Sequence, residues 1–171
     1  DTLYDKVSFR KLALGGNTCV VAVDGFYEWK DASRNSIGSG GSSGGKQPYF
    51  VHRKDGLPLL LAGLWTSVPT GRCNQEMMET FTILTTQSAK QLSWLHHRQP
   101  IILWNVHNAI KWMHKPSKQV LDEISNEASF VHHDNLVWHP VTKQMSNSQY
   151  SGMDCTKPIS LETVPSVKQF F

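Results

Sequence analysis

The sequence predicts an α+β fold: a mixed, largely antiparallel β-sheet, open and barrel-like, with a few peripheral helices. Two observations lead to this prediction. Short runs rich in β-branched and aromatic residues recur through the first part of the chain, separated by Asp-Gly pairs and polar stretches. Apolar residues at helical spacing follow only later, from about residue 106. Strands and helices therefore do not alternate as they would around a parallel sheet.

Size and composition predict a single domain over residues 1–171. The 171 residues are 39% hydrophobic and 18% charged, which is typical of a globular chain. A net charge of +3 permits a polyanionic partner without requiring one. The sequence contains neither a membrane-spanning run nor a secretion signal, and its three cysteines are widely spaced. We therefore expect a protein that is neither membrane-bound nor secreted, with reduced thiols. Because residue 1 is not methionine, we expect an N-terminally truncated fragment or a processed product.

The segment CVVAVDGFYEWK, residues 19–30, is predicted to form two strands. Residues 20–23 are apolar and residues 26–29 are aromatic-rich, which favours a pleated, half-buried surface. Asp24-Gly25 between them is interpreted as a turn or bulge, because glycine accepts a positive φ and aspartate can bond its own backbone.

Strand alternation puts Phe26, Glu28 and Lys30 on one face, and Tyr27 and Trp29 on the other. A carboxylate inside an aromatic strand is a candidate proton-transfer group if its face is covered, because desolvation disfavours the charged form. The alternative is a solvated Glu28 on a one-sided sheet. The segment alone favours that alternative, since glutamate is rarely buried without a partner.

Glycine and serine dominate the next stretch, so residues 31–47 are predicted to form a flexible loop. Two strands follow, at residues 47–52 and 58–65, and the Asp-Gly pair between them predicts a hairpin. A further strand is predicted at residues 79–86.

Two helices are predicted after the apolar run at residues 101–104. Asn105 and Ser117 are their expected N-caps. The first helix is predicted at residues 106–114, and its expected inward residues are Val106, Ala109, Ile110 and Met113. The expected inward residues of the second helix are Val120, Leu121 and Ile124. Trp112 is also interpreted as a core residue.

The last part of the chain is predicted to form two short strands, at residues 130–133 and 136–141. Beyond residue 141 the chain is polar and loop-like, and residues 160–171 are expected to be a tail.

The hexapeptide LHHRQP, residues 95–100, is the second candidate for chemistry. The His96 imidazole can donate or accept a proton, and Arg98 can fork onto a phosphate, as beside a nucleic acid. The alternatives are a histidine bonded to a backbone carbonyl and an arginine that is a surface charge. Neither nucleotide-binding nor zinc motifs occur, and adjacent histidines in a strand or loop point apart. We therefore predict no cofactor and no metal site.

Four ordered motifs, DGFYEWK, KQPYFV, LHHRQP and WHPVT, resemble the SRAP family, which includes the SOS-response-associated peptidases and abasic-site processing proteins. The sequence departs from the family pattern at Gln99, where methionine or arginine is usual. It also begins after the family's leading cysteine and Asn-x-Arg-Ser segment. Cys19 lies inside an apolar strand and does not replace that cysteine.

The resemblance implies a sensor of abasic sites in single-stranded DNA. In this family the leading cysteine forms a thiazolidine crosslink with the sugar aldehyde and is exposed by self-cleavage, the peptidase activity. Glu28 and His96 match the family's catalytic glutamate and histidine, so we expect them to line one hollow. Arg98 would bind the neighbouring phosphate and Thr85 would line the pocket. Trp29 is a weaker DNA-binding candidate, either a wall of the site or, more simply, a core residue.

We expect a monomer. The implied function further predicts that the protein works in the nucleus of a eukaryote or the cytoplasm of a bacterium. The alternative to this enzyme-like reading is a non-catalytic module that binds single-stranded DNA, or an inactive fragment. By itself the chain is expected to be inactive, because the crosslinking cysteine is absent from it.

Overall fold

The fold was analysed in a computed structural model, which describes residues 3, 6–30, 46–71, 76–114, 116–130 and 133–161. The predicted loop at residues 31–47 lies outside the described residues apart from its last two, and so does most of the predicted tail. The described helices and strands are α1 (Val7–Leu14), β1 (Thr18–Val23), β2 (Gly25–Lys30), β3 (Gln47–Arg53), β4 (Leu59–Pro69), β5 (Met77–Ile83), β6 (Thr85–Gln87), β7 (Arg98–Pro100), α2 (Val106–His114), α3 (Lys118–Phe130) and β8 (Leu136–Pro140). Short 3-10 helices occupy His133–Asn135 and Lys143–Ser146.

The strands form three antiparallel sheets, in the orders β1-β4-β5, β2-β3-β8 and β6-β7. The predicted α+β class with antiparallel, open sheets is therefore confirmed. Consecutive strands β1 and β2 do not pair with each other: the chain passes from the first sheet to the second at Asp24.

Gly25 is required at this crossing for space and not for a positive φ. The described glycines with positive φ are Gly16, Gly56 and Gly71. A Cβ at residue 25 would lie 2.5 Å from the Val51 carbonyl oxygen and 2.5 Å from the Phe50 ring. The missing side chain lets β2 approach β3.

The predicted hairpin between residues 47 and 65 is wrong, because β3 and β4 belong to different sheets. The turn itself exists: Gly56 has a φ of 73°. Asp55 accepts a hydrogen bond from the Leu57 amide and pairs with Arg53, and the Arg53 bond lowers the pKa of Asp55 to about 2. The Asp-Gly turn reverses the direction of the chain, but it does not determine which strands β4 pairs with. Apolar β4 pairs on both sides, with β1 and β5.

The predicted strand at residues 79–86 is interrupted. β5 ends at Ile83 and β6 begins at Thr85, while the Leu84 amide between them bonds to the Ala62 carbonyl at 2.9 Å.

Both predicted helix caps are confirmed. The side chain of Asn105 accepts from the Asn108 amide at 2.8 Å, and that of Ser117 accepts from the Val120 amide at 3.1 Å. The predicted inward face of α3 is confirmed as well, since Leu121 and Ile124 are buried and Val120 packs against them.

The predicted inward face of α2 is wrong except at Ala109. Val106 is 67% exposed, Ile110 50% and Met113 41%. The buried residues of α2 are Asn108, Ala109 and Trp112, and the expectation that Trp112 is a core residue is confirmed. Its indole N–H donates to the carbonyls of Cys19 and Gly63, which turns this face of the helix toward the first sheet. The hydrogen bonds of the Trp112 indole thus determine which face of α2 is buried, and the row of aliphatic residues does not.

The predicted strand at residues 130–133 is wrong, because α3 extends to Phe130 and a 3-10 helix begins at residue 133; the two residues between lie outside the described ranges. The last predicted strand is confirmed as β8.

Two buried apolar clusters support these sheets. One lies beneath the helices around Trp112, and the other lies between β3, β4 and the turns that include Leu92 and Leu95. The second cluster positions the candidate site.

Candidate active site

The predicted Glu28 face of β2 is covered by the segment at residues 89–97. Phe26 packs against the second apolar cluster, and the Lys30 ammonium lies 4.6 Å from the centre of the Trp94 ring. The Glu28 side chain is 24% exposed, and its Oε1 accepts a hydrogen bond from the Trp29 amide at 3.2 Å. Glu28 is therefore held at the edge of solvent, neither sealed in a core nor freely solvated.

Buried leucines and the hydrogen bonds of a buried glutamine fix the position of the loop that carries His96. Leu92 and Leu95 are 3% and 7% exposed within the second cluster. Gln99, which is 2% exposed, accepts from the Ala89 amide and donates to the Ala128 carbonyl, both at 2.9 Å. The residue that departs from the family pattern thus ties this loop to α3.

His96 directs its Nδ1 toward Glu28 and toward the backbone of Arg98. Nδ1 lies 3.8 Å from Glu28 Oε2, 3.2 Å from the Arg98 amide nitrogen and 3.0 Å from the Arg98 carbonyl oxygen. The amide is a partner for an unprotonated Nδ1, and the carbonyl is a partner for a protonated one. The backbone therefore accommodates either form of the ring, which a proton shuttle requires.

Glu28 and His96 line the same hollow, which has a volume of about 500 Å³. The remaining residues that line it are Trp29, Lys30, Lys46, Ser93, Trp94, Leu95 and His97. The lining therefore includes one glutamate, two histidines and two lysines. Such a set can move protons and attract an anionic ligand at the same position.

Arg98 and Thr85 form a second pair beside this hollow. Arg98 donates from Nε to the Thr85 hydroxyl at 2.9 Å and from Nη2 to the Thr85 carbonyl at 2.5 Å. Both residues line a smaller neighbouring hollow of about 140 Å³. The Arg98 backbone contacts to His96 join the two pairs. The predicted residues therefore line two different hollows, and among the described residues Arg98 and Thr85 do not line the hollow of Glu28 and His96.

Trp29 does not direct its indole to the Glu28 face. Its indole N–H donates to the Ser146 hydroxyl at 3.1 Å, on the face that Tyr27 shares. Trp29 is only half-buried, so the core interpretation is wrong; its contact with Glu28 is made by its backbone amide.

Sequence reasoning missed several members of the hollow. Lys30 carried a usable signal, because it lies two residues after Glu28 on the same strand face. His97 was noted only as a neighbour of His96, yet the two rings lie 4.4 Å apart. Trp94 and Lys46 carry no local signal, because only the tertiary fold brings them to β2.

Two classes of site find no support in the part of the chain that the structure describes. Among those residues, His, Cys, Asp and Glu side chains do not gather in the groups of three or more that would hold a metal ion. No described helix has the length and apolar character that crossing a bilayer requires.

Residues 1–148 match the family described as SOS response associated peptidase (SRAP). The chain belongs to this family, and the resemblance of its four motifs is confirmed.

Its relatives carry a more specific name. The chain is 28% identical over 191 residues to the abasic site processing protein HMCES of Gallus gallus, across 98% of this chain and 51% of that protein. It is 29% identical over 137 residues to the abasic site processing protein YedK of Escherichia coli, across 80% and 55%. The chain thus spans about half the length of these relatives.

The fold is similar to that of a crystal structure of a protein from Bacteroides thetaiotaomicron, with a TM-score of 0.74 at 21% identity. The similarity covers 94% of this chain and 64% of that one. It supports the same fold.

Proposed function

We propose that this chain is the acid–base half of an abasic-site processing protein, and that it acts on the sugar aldehyde of abasic sites in single-stranded DNA. The names of the relatives support abasic sites as the target. The single observation that carries the proposal is the Glu28 carboxylate 3.8 Å from the His96 ring, in an open hollow lined by two lysines.

The proposed reaction uses the leading cysteine that the family resemblance implies for the complete protein. Its α-amine adds to the aldehyde carbon, giving a carbinolamine. The carbinolamine loses water to form a Schiff base, and the thiolate then adds to the same carbon and closes a thiazolidine. In this scheme Glu28 takes up the proton that the amine loses, and His96 protonates the departing hydroxyl. The reverse transfers open the ring again and release the DNA.

The cationic side chains have a separate part in the proposal. The Arg98 guanidinium, oriented by Thr85, contacts the phosphate beside the lesion, while Lys30 and Lys46 draw the strand into the hollow. In this proposal, self-cleavage of a leader residue exposes the amino-terminal cysteine. Because the protein acts on DNA, we expect it to work in a nucleus or in a bacterial cytoplasm.

The proposal is tested on the complete protein with an abasic single-stranded oligonucleotide. Adduct formation is followed over time on denaturing gels. We expect Glu28→Gln to slow formation by about 100-fold, the lower range for loss of a general acid–base group. The matched control is Glu123→Gln, a solvent-exposed glutamate paired with Lys111, which should leave the rate unchanged. An unchanged rate in Glu28→Gln would remove Glu28 from the mechanism.

The alternative is a module that binds single-stranded DNA without covalent chemistry. The two lysines of the hollow favour this alternative, because they can bind DNA phosphates without any covalent step. Affinity that comes from phosphate contacts falls as the salt concentration rises. Salt-dependent binding without any adduct from the complete protein would select this alternative.

A further inference from the structure

We infer that Trp94 and Lys30 form a subsite for the nucleotide next to the abasic sugar, with Trp94 stacking its base and Lys30 binding its phosphate. The inference rests on the proposed function and names a recognition element of the same hollow. Nothing about the acid–base pair requires an aromatic ring at this position.

Trp94 is an exposed aromatic ring on a rigid support. It is 39% exposed although it belongs to the lining of the hollow. Tyr49 meets it edge to face at a centroid distance of 5.1 Å, and Trp138 lies 6.1 Å away. The buried side chain of Leu95 anchors the backbone next to it. A flat ring that is fixed in place and still open to solvent is suited to stacking.

Lys30 now occupies part of the surface that a base would need. Its ammonium lies 4.6 Å from the centre of the Trp94 ring. A cation–π contact at a solvent-exposed site is weaker than the stacking of a base on an aromatic ring. A base therefore displaces the ammonium, which has a phosphate of the same strand within its reach. In the DNA-free protein, the contact with Trp94 thus keeps the Lys30 ammonium close to the position that the phosphate would occupy.

The position of the subsite indicates what it recognises. Lys30 follows Glu28 on the same face of β2, and Trp94 precedes His96 by two residues. Ring and ammonium therefore flank the acid–base pair on both elements that carry it. An abasic nucleotide has no base to stack, so its neighbour supplies the base that orients the lesion.

The experiment is a cycle between a protein side chain and a DNA base. The complete protein is titrated with two single-stranded oligonucleotides that carry a non-reactive tetrahydrofuran abasic analogue. One oligonucleotide has normal neighbouring nucleotides, and in the other the neighbours also lack bases. Fluorescence anisotropy reports affinity for wild type, Trp94→Leu, Trp94→Phe and the control Trp65→Leu, which changes a half-exposed tryptophan of the other sheet.

We expect Trp94→Leu to weaken binding of the first oligonucleotide by about tenfold, with Trp94→Phe much closer to wild type. Removing the neighbouring bases should weaken wild type by a similar factor and leave Trp94→Leu unaffected. Lys30→Ala should reduce the slope of log affinity against log salt by about one. Equal losses of Trp94→Leu on both oligonucleotides, or no loss on either, would overturn the inference.

The adduct assay separates this inference from the proposed function. Adduct formation by wild type without coupling between Trp94 and the base contradicts only the subsite. Coupling without any adduct leaves the subsite in place and contradicts the covalent function.

Discussion

Two hollows of nearly equal size lie on different sheets, and they differ in chemistry. The hollow at β2 has a volume of about 500 Å³ and contains Glu28, His96 and two lysines. The hollow at β1, β4 and β5 has a volume of about 540 Å³ and is lined by five apolar residues together with one cysteine, one glutamate and one threonine: Val20, Val21, Ala22, Trp65 and Phe81, with Cys19, Glu79 and Thr80. Volume alone therefore does not identify the functional site. The lining does, because of these two hollows only the first combines a carboxylate with histidines and lysines.

The thiol of the second hollow sharpens the contrast. Cys19 lines it, and burial raises the pKa of the Cys19 thiol. A nucleophilic cysteine needs the opposite shift, since the thiolate is the reactive form. The expectation that Cys19 does not replace a leading cysteine thus has a physical basis in its surroundings.

The largest expected difference between the hollows is in adduct formation with abasic single-stranded DNA. His96→Ala should slow it by at least about 100-fold, because the group that protonates the departing hydroxyl is lost. Phe81→Leu, in the apolar hollow, should leave the rate unchanged. His107→Ala on the exposed surface of α2 is the matched histidine control. Comparable losses in His96→Ala and Phe81→Leu would remove the distinction between the hollows.

Gly25 connects the sheets that carry the two hollows, and its substitution should destabilise the fold. Gly25→Ala places a methyl group 2.5 Å from the Val51 carbonyl and should cost about 2 kcal/mol of unfolding free energy. Gly56→Ala meets no neighbour and carries only the strain of its positive φ, about 1 kcal/mol. Urea unfolding measures both. Equal costs would show that close approach is not the reason for Gly25.

The smallest expected effect concerns the thiol of the apolar hollow. At mildly alkaline pH, Cys19 should be alkylated several-fold more slowly than the cysteine of a short peptide of the same sequence, because a raised pKa leaves less thiolate. The difference should shrink as the pH rises through the raised value. Peptide mapping after timed iodoacetamide treatment gives the rate at this site. Faster reaction than in the peptide would contradict the assignment of Cys19 as an unactivated thiol.

The sequence predicts correctly the features that depend on neighbouring residues in the chain. Strand alternation correctly placed Glu28 and Lys30 on one face, and both helix caps followed from a polar residue before an apolar run. The face carrying Glu28 is covered because a distant loop anchored by Leu92 packs over it. No pattern within β2 encodes that contact.

The errors have the same origin. The Asp-Gly turn at Gly56 was recognised, but the pairing of β4 with β1 depends on where the apolar strands meet. The face of α2 was assigned from its aliphatic residues, and the indole of Trp112 decided it through two carbonyls on other strands. Trp94 was missed for the same reason, since its place in the hollow depends on Tyr49 and Lys30.

The central claim is that Glu28 and His96 act as one unit on a DNA aldehyde. A double-mutant cycle on the rate of adduct formation by the complete protein tests it most directly, with Glu28→Gln, His96→Ala and the double variant. If the two groups work together, the double variant should be about as slow as the slower single variant, because residues that act as a unit are strongly non-additive. A double variant whose loss equals the product of the two single losses, about 10,000-fold for two losses of about 100-fold, would show independent residues and contradict the account.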